Sequence, residues 1–413
     1  MKKQDKLKTL LYLEYEPDQI FYINGFKKDQ ILPYLASGWE PTGLYALWSD
    51  FDTIFRKTTS IPDDEKFFYP VVVSLWGVRD IFKEISISNK IIKKVKKGQC
   101  KIALICPFEG WTWSWWDNLA EILKEKFQLA DEHIVFVSAN YFPHTKYKTI
   151  TFNTWERQIF ANYSTAEHFE RSWSAVNNIR PNKFICLNRR PSIHRYAVVS
   201  NLFDVRNEGI LTCALKGSYS DWYQNWVEEN FLKEYPELSD RYKTEIKPLL
   251  PLTYEDGINP EVDNPAANEW GKVEKYYSSY LYIVTETFFE NRAQGENTLF
   301  LSEKIFKPII FFQPFVAFAR PGTLKLMRDL GYQTFSDFID ESYDEVIDDK
   351  ARLQAATESV KKFISMPQQH LRKLMLEMKP IFKHNYSVLK TKYEHGIYDK
   401  LKQDLYNCLH EEN

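Results

Sequence analysis

The chain of 413 residues is longer than one ordinary hydrophobic core supports, so two domains are expected. Its 44% hydrophobic and 27% charged content is that of a soluble globular protein, and a net charge of −2 argues against a general binder of nucleic acid or membrane surface. No stretch approaches the ~20 uninterrupted apolar residues of a membrane span.

The start, MKKQDKLKTLLYLEYEPDQ, is basic, but its apolar run is short and broken, so no secretory signal is expected. Asp50-Phe51-Asp52 has the spacing of a divalent-metal pair, but the pattern is too common to carry an assignment. Tyr69 to Leu75, Lys101 to Cys106 and His133 to Ser138 read as buried strands, and Trp115 to Phe127 as a helix between the last two. Directly after the second strand comes Pro107-Phe108-Glu109-Gly110-Trp111. Glu109 stands where a carboxylate could take a proton from an acceptor hydroxyl, and apolar neighbours would raise its pKa towards the working pH. Asp117 is the second candidate. Trp111, Trp113, Trp115 and Trp116 supply those neighbours and could cradle a sugar ring. Equally, an acid before a helix suits the helix dipole, and four tryptophans can simply be core.

A boundary near Asn177 to Pro181 divides the chain into an N-terminal α/β domain (1–178), a C-terminal α/β domain (179–385) and a final helix (386–413). The second series opens with the strand Lys183 to Leu187, then Asn188-Arg189-Arg190-Pro191-Ser192, then a helix from near His194. Arginine presents a planar fork suited to phosphate oxygens, so Arg189 and, within the helix, Arg195 are candidate phosphate ligands. A solvated basic loop is the alternative. The segment from about Pro248 to Gly271 is rich in Pro, Asn and Asp and reads as a long loop. Tyr280 to Val284 is a further strand, and Glu286 at its end is either a ligand of sugar hydroxyls or an exposed acid.

Phe300-Leu301-Ser302-Glu303-Lys304-Ile305 opens a helix with Ser302 as N-cap. The free N–H groups and positive dipole end attract a phosphate, Lys304 adds a mobile charge, and Glu303 can accept from sugar hydroxyls. The competing reading is a surface pair between Glu303 and Lys307, worth only tenths of a kcal/mol. Pro314 to Phe318 is the next strand, Leu324 to Leu330 a helix stopped by Gly331, and Asp340-Glu341-Ser342-Tyr343-Asp344 a solvated acidic loop or helix start. From Asp348 the chain is helical, with breaks at Pro367 and Pro380. The five cysteines, Cys100, Cys106, Cys186, Cys213 and Cys408, have no CxxC or metal spacing and read as reduced thiols of a cytoplasmic protein. No GxxxxGK[ST], GxSxG or GxGxxG occurs. Strands alternating with helices indicate parallel sheets, with ligands outside the strands' carboxyl ends.

The order of a strand, a basic loop with Arg195, a strand ending in Thr285-Glu286-Thr287, and Leu301-Ser302-Glu303-Lys304-Ile305 opening a helix resembles the C-terminal half of the α1,3-fucosyltransferase family. The resemblance spans about residues 180 to 345. The run from Phe312 to Glu345 is more similar to phage and bacterial glycosyltransferase-like proteins. It implies a GT-B fold, α/β with two Rossmann-like domains facing a cleft. It also implies a donor nucleotide-sugar on the C-terminal domain, no obligatory metal, and inversion with a carboxylate base from the N-terminal domain. Glu303 would bind the ribose, and Lys304 and Arg195 the phosphates. The expected function is transfer of a sugar from a nucleotide-sugar, GDP-fucose-like by resemblance, to a glycan or other hydroxyl acceptor, with no cofactor beyond the donor. The alternatives are a transferase of a CMP-linked acidic sugar and a non-catalytic carbohydrate-binding protein.

Overall fold

The computed structural model describes residues 66–72, 87–106, 110, 113–188, 190–213, 221–252, 273–290 and 298–410, with short strands at Leu13–Glu14, Ile20–Ile23, Ile31–Pro33, Ala36–Ser37 and Phe55–Thr58. The chain forms two compact units. One comprises Met1–Thr154, Glu296–Phe300 and Glu394–Asn413, the other Trp155–Gly295 and Leu301–Tyr393.

The first unit carries β1 (Phe67–Val72), β2 (Cys100–Cys106), β3 (Ile134–Ser138) and β4 (Lys148–Thr151) in one parallel sheet of that order. Strands covered on both faces are apolar runs rather than alternating ones, and CKIALIC and IVFVS have that character. Helix α1 (Asn89–Lys96) is capped by Ser88, whose side chain accepts from Ile91 N. Helix α2 (Trp113–Phe127) buries Trp113, Trp116, Leu119, Ala120 and Leu123, a helical stripe of the kind that covers a sheet. Two sets of antiparallel short strands, Leu13–Glu14 with Ala36–Ser37, and Ile20–Ile23 between Ile31–Pro33 and Phe55–Thr58, precede this sheet in the chain. The tripeptide Asp50-Phe51-Asp52 lies outside the described residues.

The second unit begins with α3 (Trp155–Tyr163) and α4 (Ala166–Asn177). Its sheet holds β5 (Asn182–Cys186), β6 (Ile210–Leu211), β7 (Ser279–Thr285) and β8 (Phe315–Phe318), all parallel, in the order β6-β5-β7-β8. The connections are α5 (Ile193–Leu202), α6 (Asp221–Glu234) and α7 (Glu303–Ile310), and β8 is followed by α8 (Thr323–Asp329). Every residue of β7 is buried, as a central parallel strand requires. Gly209, just before β6, admits β5 closely: a Cβ there would lie 2.6 Å from Phe184 O. Helices α9 (Asp349–Ile364), α10 (Gln368–Glu377) and α11 (Lys379–Thr391) follow, with Pro367 as N-cap of α10 and Pro380 in the first turn of α11. The last helix, α12 (Ile397–His410), belongs to the first unit. The α/β class with parallel sheets is thus as expected. The loop expected at 248–271 falls largely on residues 253–272, outside the described ones.

The strand order fixes where a ligand would sit. From β5 the chain crosses to β6 on one side, then returns to β7 on the other, so the order reverses between β5 and β7. In open parallel sheets ligands bind outside the carboxyl ends of the strands at such a reversal of order.

Candidate functional site

Polar residues take over abruptly where β5, β6 and β7 end. Thr285 Oγ1 donates to Asn188 Oδ1 at 2.7 Å, Asn188 N donates to Thr212 Oγ1 at 2.9 Å, and Asn188 Nδ2 to Thr212 O at 3.2 Å. All three residues are buried, so the network ties the three strand ends together with its polar groups satisfied.

Glu286 follows Thr285 and is completely buried. Its carboxyl oxygens accept from Ser302 N at 2.9 Å, Ser302 Oγ at 2.6 Å and Thr287 N at 2.8 Å. The group therefore pins the start of α7 to the end of β7, and its oxygens already face three protein donors. Ser302 is extended and is the N-cap of α7, its Oγ accepting from Lys304 N at 3.3 Å. Lys304 Nζ lies 2.9 Å from Glu303 Oε1 and 3.2 Å from Ser302 Oγ. Burial by itself would raise the Glu303 carboxyl, but the charges of Lys304 and Lys307 and the hydrogen bond from Lys304 hold it at about 2. Lys307 is itself buried, so its charge acts on Glu303 from inside the unit rather than as a solvent-exposed surface pair.

On α5, Arg195 is buried and donates to Arg190 O at 3.0 Å and Thr285 O at 3.2 Å, while its Nε has no hydrogen-bond partner among the described residues. His194 Nε2 lies 3.0 Å from Glu286 O, and a carbonyl only accepts, so this nitrogen carries the proton. Its Nδ1 is 3.3 Å from Ser192 Oγ and 3.7 Å from Glu290 Oε1, and the ring stacks on Phe289. Burial lowers the His194 pKa. Arg190 is exposed, and Arg189 lies outside the described residues.

Helices α5, α7 and α8 of this unit differ at their N-termini. The α7 start is capped by Ser302. The α8 start is filled by Asp344, whose carboxyl oxygens accept from Leu324 N at 2.9 Å and Lys325 N at 3.0 Å. Ser192 at α5 makes no side-chain capping bond. The acidic segment at 340–344 does open a helical turn (Ser342–Glu345), with Asp340 and Ser342 exposed, but it is solvated only in part. Asp344 is buried with a pKa raised by that burial, and Glu341 accepts from Phe335 N at 2.6 Å. Both serve the turn around α8.

The second unit thus brings Arg195, Glu286, Ser302, Glu303 and Lys304 to the carboxyl side of β5 and β7. In the first unit, Glu109 and Trp111 lie outside the described residues. Trp113 is a core residue, stacked on Phe136 at 6.2 Å and edge-on to His144 at 5.2 Å, so its ring faces are occupied. Asp117 lies 3.2 Å from His144 Nε2. Asn188 and Thr212 complete the strand-end cluster without having been singled out from sequence, while His194 stood with Arg189, Arg190 and Arg195 in the basic segment after the strand. The available signal was the same at each strand: an apolar run stopping at a buried polar residue, as in Cys186-Leu187-Asn188, Leu211-Thr212 and Val284-Thr285.

No family model matches the chain, and no curated protein matches it. Among solved structures it is similar to a UDP-forming α,α-trehalose-phosphate synthase from Burkholderia xenovorans, at 10% identity over 84% of this chain and 70% of that one, with a TM-score of 0.36. It is also similar to the α,α-trehalose 6-phosphate synthase of Burkholderia multivorans, at 10% identity over 84% and 72%, with a TM-score of 0.38. The N-terminal domain of the trehalose-6-phosphate phosphatase of Candida albicans matches at 11% identity over 98% and 87%, with a TM-score of 0.42. Likeness at this level assigns no residue role. Among the described residues no helix is long and apolar enough to cross a membrane, and no group of three or more His, Cys, Asp and Glu side chains could hold a metal ion.

Proposed function

We propose that the chain is a glycosyltransferase of GT-B type that binds a nucleotide-sugar on its second unit, across the reversal of strand order between β5 and β7. The observation that carries the reading is the convergence of Arg195, Lys304 and an α5 N-terminus without a side-chain cap at the end of two central parallel strands. Helix N–H groups and cations at one point suit a diphosphate, and would hold the charge that develops on it as a leaving group. Lys304 would exchange Glu303 and Ser302 for a phosphate oxygen, releasing the Glu303 carboxylate towards a ribose hydroxyl. Arg195 would turn its unpartnered Nε to the same anion. Glu286 positions Ser302 and Lys304. Arg189 adjoins the same loop and is proposed as a further donor contact. Glu109 is proposed as the base that deprotonates the acceptor hydroxyl, with Trp111 beside the acceptor. Inversion, independence of metal and a GDP-fucose-like donor follow from the family resemblance alone.

A thermal-shift screen against GDP, UDP, CMP and dTDP tests the donor site. One nucleotide at a hundred times its dissociation constant is expected to add ~2.7 kcal/mol. Lys304→Ala should remove that shift while leaving the unliganded midpoint within a few degrees. Arg195→Ala should also remove it, with a lower unliganded midpoint because Arg190 O and Thr285 O lose their buried donor. A CMP-selective shift would favour the acidic-sugar transferase. No shift with any of the four would remove the transferase reading.

Acid titration checks the electrostatics of the same site. Glu303 has its folded pKa depressed from the ordinary 4.5 to about 2, so its contribution to stability is present above about 4.5 and is lost as pH falls towards 2. Glu303→Gln should flatten that acid limb of the stability profile. An unchanged acid limb would contradict the pairing with Lys304 and Lys307.

A further inference from the structure

Helix α6 turns two unlike faces to its surroundings. Val227 and Phe231 are buried, Phe231 lying against Tyr196 at 5.8 Å and Tyr242 at 5.1 Å. The opposite face runs Trp222, Asn225, Trp226, Glu229 and Lys233, all exposed, at the i, i+3, i+4, i+7 and i+11 spacing of one helical stripe. Trp222 is 72% exposed and Trp226 39%, whereas Trp113 and Trp116 are 7% and 0%. A helix with one buried face ordinarily carries small or polar residues on the other. Two large aromatic rings there are a departure that packing among the described residues of this unit does not explain.

The two tryptophans are four residues apart, so they stand about 6 Å apart along the helix axis. Tyr223 stacks on Trp226 at 6.2 Å and 21°, which restrains that ring. Ring faces of this kind take the C–H faces of sugars, while an amide, a carboxylate and an ammonium group take hydroxyls. Asn225, Glu229 and Lys233 supply those three groups in the same stripe. An apolar peptide would need apolar surface to continue beyond Trp226, but the next residues on the face are Glu229 and Lys233. A nucleic acid would need a basic track, and the stripe has one lysine against one glutamate.

We propose that this face of α6 is a carbohydrate-binding ledge, with Trp222 and Trp226 stacking on pyranose rings of a neutral glycan. If the chain transfers sugars, the ledge holds the acceptor glycan away from the reacting hydroxyl. It needs no nucleotide and does not depend on that reading.

The test is a glycan array probed with the full chain in the absence of nucleotide, alongside Trp222→Ala, Trp226→Ala and Trp222→Phe. One class of neutral glycan is expected to be retained, with apparent affinity falling about tenfold or more in each alanine variant and largely kept in Trp222→Phe. Both tryptophans are exposed, so the thermal midpoint should not move. Absence of retained glycan, or equal retention by the alanine variants, would overturn the proposal. So would a dimer in sedimentation that Trp222→Ala dissociates, since the face would then join two copies of the chain. The nucleotide shifts at Lys304 and Arg195 are read separately, so failure of the ledge and failure of the donor site are distinguishable.

Discussion

Glu286→Ala is expected to destabilise the second unit by about 3 kcal/mol or more. The substitution leaves Ser302 N–H, the Ser302 hydroxyl and Thr287 N–H without the acceptor that now faces them at 2.6 to 2.9 Å. Each buried donor without a partner costs about 1–3 kcal/mol, and the vacated volume adds a cavity term. The loss should appear as a lower denaturant midpoint with an unchanged slope. Glu286→Gln keeps the shape but turns an amide N–H towards one of those donors, so it should lie between the two. A loss below about 1 kcal/mol in Glu286→Ala would mean that the carboxyl does not pin α7 to β7. The same substitution should weaken nucleotide binding through Lys304, whose backbone N–H and Nζ both reach Ser302 Oγ.

The second large effect is expected at Arg352. Its guanidinium is buried and donates to Phe289 O at 2.6 Å, Ala319 O at 3.0 Å, Val346 O at 2.9 Å and Ile347 O at 3.0 Å, and to Asp349 Oδ1 at 2.6 Å. It also lies over the Phe289 ring, 4.5 Å from the centroid. One side chain therefore gathers the segments that follow β7 and β8 onto α9. Arg352→Ala strands four carbonyls and should destabilise by about 3–5 kcal/mol, most of it from the backbone acceptors because Asp349 reaches solvent. Arg352→Lys should rescue little, since an ammonium group cannot span the same fork of acceptors. Urea unfolding of the two variants decides it: equal stability of Arg352→Lys and the parent chain would contradict this role.

The parts legible from sequence were those with one dominant local signal. β2, β3, β5, β7 and β8 are each dominated by a short apolar run, and each lies within a residue or two of its expected bounds. Ser302 was recognisable as a cap because a short polar side chain before an apolar helical stripe has few other uses. The edge strands β4 and β6 gave no such signal: Lys148–Thr151 has one apolar residue of four, and Ile210–Leu211 is two residues long. Partners distant in sequence were equally hidden. Asp344 caps α8 from 20 residues away, and Glu286 meets Ser302 across 16, so a solvated acid and a strand-end acid looked alike until the fold joined them. For tryptophan the sequence offered core or ligand contact as equal readings, and burial separates them. Trp113 is core, while Trp222 and Trp226, on a helix that the strand pattern did not reveal, stand in solvent.

Hydrogen–deuterium exchange of the full chain, with and without the nucleotide that gives the largest thermal shift, tests the donor site most directly. The account predicts protection concentrated in peptides covering residues 186–196, 284–290 and 300–306, and its loss in Lys304→Ala. Protection confined to other segments, or none in any peptide at saturating nucleotide, would contradict it.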